Sequence, residues 1–320
     1  MGLISTELHA RIHEPDDSPA KGTDRLRAVV AAPGELWNLA RKVSQETSAD
    51  DAVFCSSEAG GLQLAAVCSE RSVRPRIAVF VHNVDRPRAR FALKWWHMAD
   101  QVDLFFACTP RQVEFLRTYL KLSDDRVRQI WDHTDTQFFT PGPASEEKRR
   151  PLVVSVGLEQ RDYRTLATAT KDLDLDISIS GFSEDAAPMT RTFPETLPDN
   201  MTRRFYSWPD LLQLYRDADV VVVSCHESRY AAGVQSLMEA MACGRPVIAT
   251  ATEGLKAYLD DSVTAICPGD APAMRAAIQS ALADRPGSEA RAARGHDLAV
   301  RRYDMDRYVA EISDAMRSLL

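Results

Sequence analysis

The sequence predicts an α/β protein made of two successive parallel sheets, one in each half of the chain. From about residue 50 onward, short apolar runs alternate with longer stretches of helical periodicity, and the alternation starts again after residue 151. Strict alternation of strand and helix implies parallel strands joined by right-handed crossovers. A polar stretch containing three prolines, PGPASEEKRRP (141–151), separates the two series and predicts a linker.

The predicted strands are short, mostly apolar runs. The first set is AVFCSS (52–57), RIAVFVHN (76–83), VDLFFACT (102–109) and RVRQIW (126–131). The second set is LVVSVG (152–157), LDISISG (175–181), ADVVVVSC (218–225), PVIAT (246–250) and TAICPG (264–269). Each set predicts a Rossmann-like sheet whose cleft lies at the carboxyl ends of its strands.

Domain boundaries follow from the same pattern. We expect a loosely packed or disordered lead-in over 1–24, a first lobe over 25–140, the linker 141–151, a second lobe over 152–300, and a helix over 301–320 that returns to the first lobe.

Composition narrows the class of protein. The 320 residues carry a net charge of −7, which argues against nucleic acid as a partner. Six cysteines without a CxxC pair predict a reducing compartment, the cytoplasm, and argue against a zinc site. No apolar run reaches the roughly 18 residues of a membrane span. Neither GxGxxG nor GxxxxGK[ST] occurs, so a dehydrogenase or a P-loop enzyme is not supported.

One predicted helix contains a single carboxylate among residues that are otherwise apolar or small. The stretch AAGVQSLMEAMACGRPVIAT (231–250) predicts a glycine turn, a helix and a buried strand, with Glu239 inside the helix. A lone glutamate can occupy an exposed stripe of a helix, but the neighbours of Glu239 are methionines and alanines. We therefore weigh a functional carboxylate equally against a structural one.

Isolated polar residues lie just beyond the carboxyl ends of strands, where open α/β sheets bind ligands. They include His82 in the first lobe, and Arg161, Glu227 and the turn at Gly233 in the second. An arginine near a helix N-terminus suits a diphosphate, and a glutamate near that terminus can accept hydrogen bonds from ribose hydroxyls. This combination predicts a nucleotide-sugar site.

Four segments of the second lobe resemble the donor domain of the GT-B glycosyltransferases, in particular retaining family 4 (glycosyl transferases group 1). These segments are VVSVGLEQRDYRTL (153–166), LLQLYRDADVVVVSC (211–225), GVQSLMEAMACGRPVIAT (233–250) and GLKAYLDDSVTAICPGDAPAMRAAI (254–278). The first lobe adds AVFVHN, DLFFACTPRQVEFL and DTQFFTP in the order of the family. The resemblance covers residues 50–320 and implies two lobes facing across a cleft, with a shortened N-terminal lobe.

The resemblance assigns roles to individual residues. Glu239 matches the second glutamate of the family's paired-acid motif, which holds the nucleotide ribose, and Arg161 matches the basic residue on the donor diphosphate. His82 matches the strand-end histidine that touches the transferred sugar. Gly233 and Val234 match the turn whose N–H groups face the phosphates. His82 and Glu239 are thus the candidate catalytic residues.

The implied activity is transfer of a sugar from a nucleotide diphosphate, with a UDP-sugar as the favoured donor, to an acceptor hydroxyl. The resemblance further implies a hexosyltransferase that retains anomeric configuration and needs no metal or other cofactor. The acceptor is a glycan, a lipid or a small molecule.

Three further features are candidates for ligand contacts. Gly60 and Gly61 form a predicted glycine turn on the acceptor side, and Trp208 is a candidate for stacking on the nucleobase. The stretch 85–98 combines basic residues with Phe91, Trp95 and Trp96. It predicts either an ordinary helix with its aromatic residues against the sheet or a peripheral surface for lipid headgroups or an aromatic acceptor.

The chain departs from the family pattern at two positions. The first glutamate of the paired-acid motif is replaced by Ala231, with Glu227 four residues earlier, and the usual arginine after the first glycine of the donor lobe is Leu158. These departures keep two alternatives open: a non-catalytic GT-B protein that binds a nucleotide sugar or a partner, and a sugar-nucleotide epimerase on the same fold.

Overall fold

The computed structural model comprises two compact units. It describes the chain apart from residues 17, 19–21, 23, 26–27, 29–32, 87–89, 91–92, 94–97 and 183–186, so Phe91, Trp95 and Trp96 lie outside the described residues. The first unit is Met1–Trp131 with Asp306–Leu320, and the second is Asp132–Met305. No helix within the described residues is long and apolar enough to cross a membrane.

The first unit contains a four-stranded parallel sheet in the order β1-β2-β3-β4. Its strands are β1 (Ala52–Cys55), β2 (Arg76–Val81), β3 (Leu104–Ala107) and β4 (Val127–Gln129). The helices that the described residues define are α1 (Gly2–Leu8), α2 (Gly34–Glu46), α3 (Glu58–Cys68), α4 (Pro110–Thr118) and α10 (Met305–Arg317), with a 3₁₀ turn at Asp124–Arg126.

Strand β2 has a continuous apolar sequence because both faces of its sheet are covered. Ile77 and Val79 point into a cluster built with α2, α3 and α4, whereas Phe80 points into a second cluster on the opposite face. That second cluster includes Ile4 of α1 and Ile312 of α10. The helix α10 therefore packs within the first unit.

The lead-in expected over residues 1–24 begins with a helix. Residues Gly2–Leu8 form α1, and Ile4 is buried against the sheet. The acidic composition of this stretch concealed the apolar contacts of Ile4 and Leu8 with the core of the first unit.

The second unit contains a six-stranded parallel sheet in the order β10-β9-β8-β5-β6-β7. Its strands are β5 (Leu152–Val156), β6 (Asp176–Ser180), β7 (Met201–Arg203), β8 (Val220–Val223), β9 (Val247–Thr250) and β10 (Val263–Ile266). Its helices are α5 (Tyr163–Thr170), α6 (Trp208–Asp217), α7 (Val234–Ala242), α8 (Ala271–Ala283) and α9 (Arg285–Arg302), with a 3₁₀ turn at Lys256–Tyr258.

The segment 141–151 lies within the second unit. The N–H and hydroxyl of Ser145 both donate to Asp217 at the end of α6, at 2.7 and 2.8 Å, and Lys148 pairs with Asp219 at 2.7 Å. The proline-containing sequence thus marks an irregular segment that side-chain contacts tie down.

The order of the second sheet creates a switch point between β5 and β8. From β5 the chain proceeds through β6 to the edge strand β7, then returns to β8 and proceeds to the opposite edge at β10. In open α/β sheets, ligands bind outside the carboxyl ends of the strands at such a point. The loops that follow β5 and β8 therefore define the candidate site.

Candidate functional site

The loops after β5 and β8 are joined through their main chains. Arg161 and Cys225 form an isolated antiparallel bridge. The N–H of His226 donates to the carbonyl oxygen of Gln160 at 2.8 Å, and the N–H of Asp162 donates to the carbonyl oxygen of Ser224 at 2.9 Å. These bonds fix Arg161 at the switch point.

The guanidinium of Arg161 is buried, with 4% of the residue exposed. It donates to the carbonyl oxygens of Val156 and Glu159 at 2.9 and 3.0 Å, to Ser236 Oγ at 2.9 Å, and to Cys225 Sγ at 3.4 Å. No Asp or Glu oxygen among the described residues lies within 4.0 Å of it. A buried cation without a carboxylate partner is costly unless a ligand anion compensates it.

Arg161 keeps its charge despite this burial. Burial opposes the charged form, but the Cys225 thiol and the hydroxyls of Tyr163 and Tyr215 outweigh it, so the pKa of Arg161 lies above its usual value. The guanidinium is therefore a permanent cation at the switch point.

Two glycines bring main chain against this guanidinium. Gly157 has φ +102° and Gly233 has φ +95°, a region that favours glycine. A Cβ on Gly157 would collide with Arg161 Nη2, and one on Gly233 would lie 2.7 Å from Val223 Cγ1. Both positions therefore require glycine for the close approach as well as for the backbone conformation.

The helix α7 begins beside Arg161 with free main-chain donors. Its N-cap, Gly233, supplies no side-chain cap, and within the described chain the N–H groups of Gln235 and Ser236 have no acceptor. Val234 follows the cap and is buried. The positive end of a helix and an unpaired guanidinium in contact with it form a site suited to an anion such as a diphosphate.

Glu239 lies in the second turn of α7, a helix in which only Gln235 is exposed. Its Oε2 accepts a hydrogen bond from the hydroxyl of Tyr215 at 2.7 Å. Burial raises the pKa of Glu239 to about 7, although hydrogen bonds from Tyr215 and Gln235 and the charge of Arg161 oppose the rise. A carboxyl group in this state can accept or donate hydrogen bonds near neutral pH.

Sequence reasoning missed the side chains that organise Arg161 and Glu239. Ser236 bonds Arg161 from inside α7, and Tyr215 reaches Glu239 from α6, 24 residues away. Ser236 gave no signal, since one serine in a helix is unremarkable. Tyr215 gave only the pattern of an apolar position on α6.

Two predicted donor-site residues, Glu227 and Trp208, are not in contact with Arg161 or Glu239. Glu227 is exposed, and its Oε1 accepts from the N–H of Glu253 at 2.8 Å. Trp208 is 66% exposed at the start of α6. Its ring meets Phe139 edge-on at 6.5 Å, and Phe139 meets Tyr215 at 5.8 Å, which links Trp208 to Glu239 through two aromatic rings.

The predicted glycine turn on the acceptor side is wrong. Gly60 and Gly61 lie inside α3, which begins at Glu58, rather than in a turn before a helix at Leu62. Ser57 caps the helix by accepting from the N–H of Gly60, and a Cβ on Gly61 would lie 2.5 Å from Val79. The two glycines therefore lie in the first turn of a helix, and Gly61 lets that helix pack closely on β2.

His82 follows β2 directly and is exposed. Its ring lies 4.7 Å from that of Phe80, and its Nε2 lies 3.2 Å from the carbonyl oxygen of Ser56. The structure thus places it at the carboxyl edge of the first sheet. Across the described residues, no group of three or more His, Cys, Asp or Glu side chains could hold a metal ion.

Part of the second unit matches a known protein family. Residues 156–284 match the family model of glycosyl transferases group 1. A D-inositol 3-phosphate glycosyltransferase of Xylanimonas cellulosilytica is 37% identical over 113 residues, which are 35% of this chain and 25% of that protein. The chain thus aligns with a quarter of that relative's length.

Solved structures that match nearly the whole chain include the following two. The sucrose-phosphate synthase of Thermosynechococcus elongatus has a TM-score of 0.74 at 17% identity, covering 97% of this chain and 83% of that one. Anabaena HepE in complex with UDP and glucose has a TM-score of 0.75 at 14% identity, covering 99% of this chain and 89% of that one.

The fold, with a Rossmann-like parallel sheet in each unit, is that of the GT-B glycosyltransferases, as predicted. Within the second unit, residues 156–284 match the family model of glycosyl transferases group 1, so the predicted resemblance to that group is confirmed.

Proposed function

We propose that the protein transfers a sugar from a nucleotide diphosphate donor to an acceptor hydroxyl. The observation that carries this proposal is the pairing of Arg161, a buried cation without a carboxylate partner, with the free N–H groups at the start of α7. This arrangement can bind the donor diphosphate and stabilise its charge as it leaves. Removal of one such donor from a comparable oxyanion site costs about 3 kcal/mol in the transition state.

In this proposal Glu239 accepts hydrogen bonds from the ribose hydroxyls, one turn along α7 from the phosphates. Its contact with Tyr215 holds one carboxyl oxygen in place. His82 contacts the transferred sugar, as the family resemblance implies. From the same resemblance we propose retention of configuration, with Arg161 rather than a metal ion facing the diphosphate.

A UDP-hexose is the proposed donor. Support comes from the match to HepE, whose structure holds UDP and glucose. We propose the cytoplasm as the compartment, since the six cysteines are all free. Cell fractionation tests this location.

The direct test is a thermal-shift screen of nucleotide sugars on the purified protein, followed by product analysis. A ligand at 100 times its dissociation constant adds about 2.7 kcal/mol of stability, so a bound donor should raise the melting temperature visibly. We expect UDP-hexoses to give the largest shift and to be consumed when acceptors are supplied. No shift with any nucleotide sugar would refute the proposal.

A second candidate is a GT-B protein that binds a nucleotide sugar without transferring it. Ala231 favours it, because the first glutamate of the paired-acid motif is absent, and Glu227 is bonded to the N–H of Glu253. Donor binding without donor consumption would support this candidate. Conversion of the donor to an isomeric sugar nucleotide would instead indicate an epimerase.

Replacing Trp208 by alanine tests whether this exposed ring stacks on the nucleobase. Stacking on an aromatic side chain is worth about 1–3 kcal/mol per base, and we expect a loss of about 1 kcal/mol, or about fivefold in UDP affinity, because the ring is exposed. Calorimetric titration with UDP measures this loss. Inorganic diphosphate, which has no base, is the control ligand. An equal loss for both ligands would show that Trp208 acts through the packing of Phe139 instead.

A further inference from the structure

The first unit contains a buried carboxylate that binds the main chain of His82. Glu58, at the start of α3, is 8% exposed. Its Oε2 accepts from the N–H of His82 at 2.9 Å, and its Oε1 accepts from the N–H of Asn83 at 3.1 Å. Arg86 lies 3.5 Å from Oε1 but its side chain is 63% exposed, so water screens that pair. The two main-chain donors are therefore the main partners of this carboxylate.

Gln112 holds the same residue from the opposite side. Its Nε2 donates to the carbonyl oxygen of His82 at 2.5 Å. Its Oε1 accepts from the N–H groups of Cys108 and Thr109 at 3.1 and 3.0 Å, which fixes the amide at the start of α4. Both main-chain groups of His82 are thus bonded to buried side chains of two different helices.

The imidazole of His82 has a hydrogen-bond partner of its own. Its Nε2 lies 3.2 Å from the carbonyl oxygen of Ser56, and a carbonyl oxygen can only accept. Nε2 therefore carries the proton, and in the neutral ring Nδ1 has a lone pair. Among the described residues Nδ1 has no partner, and the residue is exposed. Nδ1 is free to accept a hydrogen bond from a ligand hydroxyl.

A role at the helix terminus does not account for these contacts. An acidic side chain in the first turn stabilises a helix through its dipole whether or not it is buried. Glu58 instead turns to a loop 24 and 25 residues later in the chain and uses both oxygens there. This geometry orders the His82 loop rather than α3 alone.

We infer that Glu58 is a positioning residue for His82. Together with Gln112 it holds the main chain so that the ring donates from Nε2 to Ser56 and presents Nδ1 to a hydroxyl of the substrate. The inference rests on the proposed function, in which His82 contacts the transferred sugar.

The kinetic test compares Glu58→Gln, His82→Ala and the double variant of the full chain. In Glu58→Gln the amide NH₂ group replaces one acceptor, so the loop loses one of its two main-chain bonds. Misplacement of a reacting group by about 1 Å can cost about 100-fold in rate, and we expect kcat to fall about 10-fold to 100-fold. KM for the donor and UDP affinity should stay unchanged, which also shows that the variant is folded. Glu58→Gln should cause no further loss in the His82→Ala background.

A spectroscopic test measures the tautomer of the His82 ring and does not depend on turnover. In protein labelled with ¹⁵N-histidine, the signal that disappears in His82→Ala identifies this ring among the seven histidines. We expect a single Nε2–H tautomer in the wild type and a mixture in Glu58→Gln. Glu114→Gln, at an exposed position of α4, is the matched control. It should change neither the His82 signal nor kcat.

The outcomes separate this inference from the proposed function. An equal loss of kcat from Glu58→Gln in both backgrounds, or an unchanged His82 signal, would overturn the positioning role. Normal turnover in His82→Ala, or no turnover in the wild type, would instead refute the proposed role of His82 or the proposed activity. The tautomer measurement would still decide whether Glu58 positions the ring.

Discussion

Arg161→Met is expected to weaken UDP binding by about 1.5–3 kcal/mol, which is about 10-fold to 150-fold in the dissociation constant. The reason is that Arg161 is a buried permanent cation without a carboxylate partner, in contact with the start of α7. Methionine fills a similar volume without the charge, so loss of packing contributes little. Calorimetric titration at two salt concentrations measures the effect, and the variant should also show a weaker dependence on salt.

Two controls isolate the role of the charge. Arg150→Met removes an arginine of the same unit that is partly exposed and paired with Asp174 and Asp176, and it should leave UDP affinity unchanged. Urea unfolding of Arg161→Met reports the separate effect on folding, since the carbonyl of Val156 and Ser236 Oγ lose a donor. UDP affinity equal to that of the wild type would remove Arg161 from the donor site.

Glu239→Gln is expected to stabilise the fold at pH 8 while it weakens recognition of ribose. In the folded protein the pKa of Glu239 is raised from 4.5 to about 7, mainly by burial. The carboxyl group therefore favours folding fully below pH 4.5, and this contribution is lost as the pH rises through 7. Above that pH the buried carboxylate costs up to about 3 kcal/mol, which a neutral amide of the same shape avoids. The free energy of unfolding in urea, measured at pH 5 and pH 8, checks the expectation.

Glu239→Gln also tests whether Glu239 binds the ribose of the donor nucleotide. We expect 2′-deoxy UDP to bind the wild type more weakly than UDP by about 1–3 kcal/mol, and this gap should narrow in Glu239→Gln. Glu289→Gln, an exposed position of α9, is the control for both measurements. Equal loss of stability at both pH values would show that Glu239 braces the fold through Tyr215. Equal affinity of the wild type for UDP and its deoxy analogue would exclude the ribose role.

The sequence predicted the strands whose apolar residues form continuous runs, because both faces of each sheet are covered. It did not predict β7, since only Met201 of its three residues is buried and the strand lies at the edge of the sheet. The glycine pair at 60–61 was interpreted as a turn, although Ser57 begins a helix there. A short glycine sequence does not distinguish a turn from a tightly packed helix start.

For the candidate site, the sequence identified the groups that bear charge but not their partners. Arg161 and the turn at Gly233 follow different strands, and the parallel sheet places them together, as the position of strand ends indicates. Partners such as Tyr215 depend on the packing of two helices, which no local pattern encodes. The exposure of Glu227 also depends on tertiary structure, because its carboxylate turns to the N–H of Glu253.

The position of α10 determines the order in which the chain can fold during synthesis. This helix follows the whole second unit in sequence, yet Ile312 and Met316 complete a cluster with Ile4 and Phe80 in the first unit. On the ribosome, residues 132–305 emerge with their sheet complete while the first 131 residues still lack this covering helix. The second unit is therefore an insertion in the sequence of the first, and we expect the core of the first unit to be complete only after α10 has been synthesised.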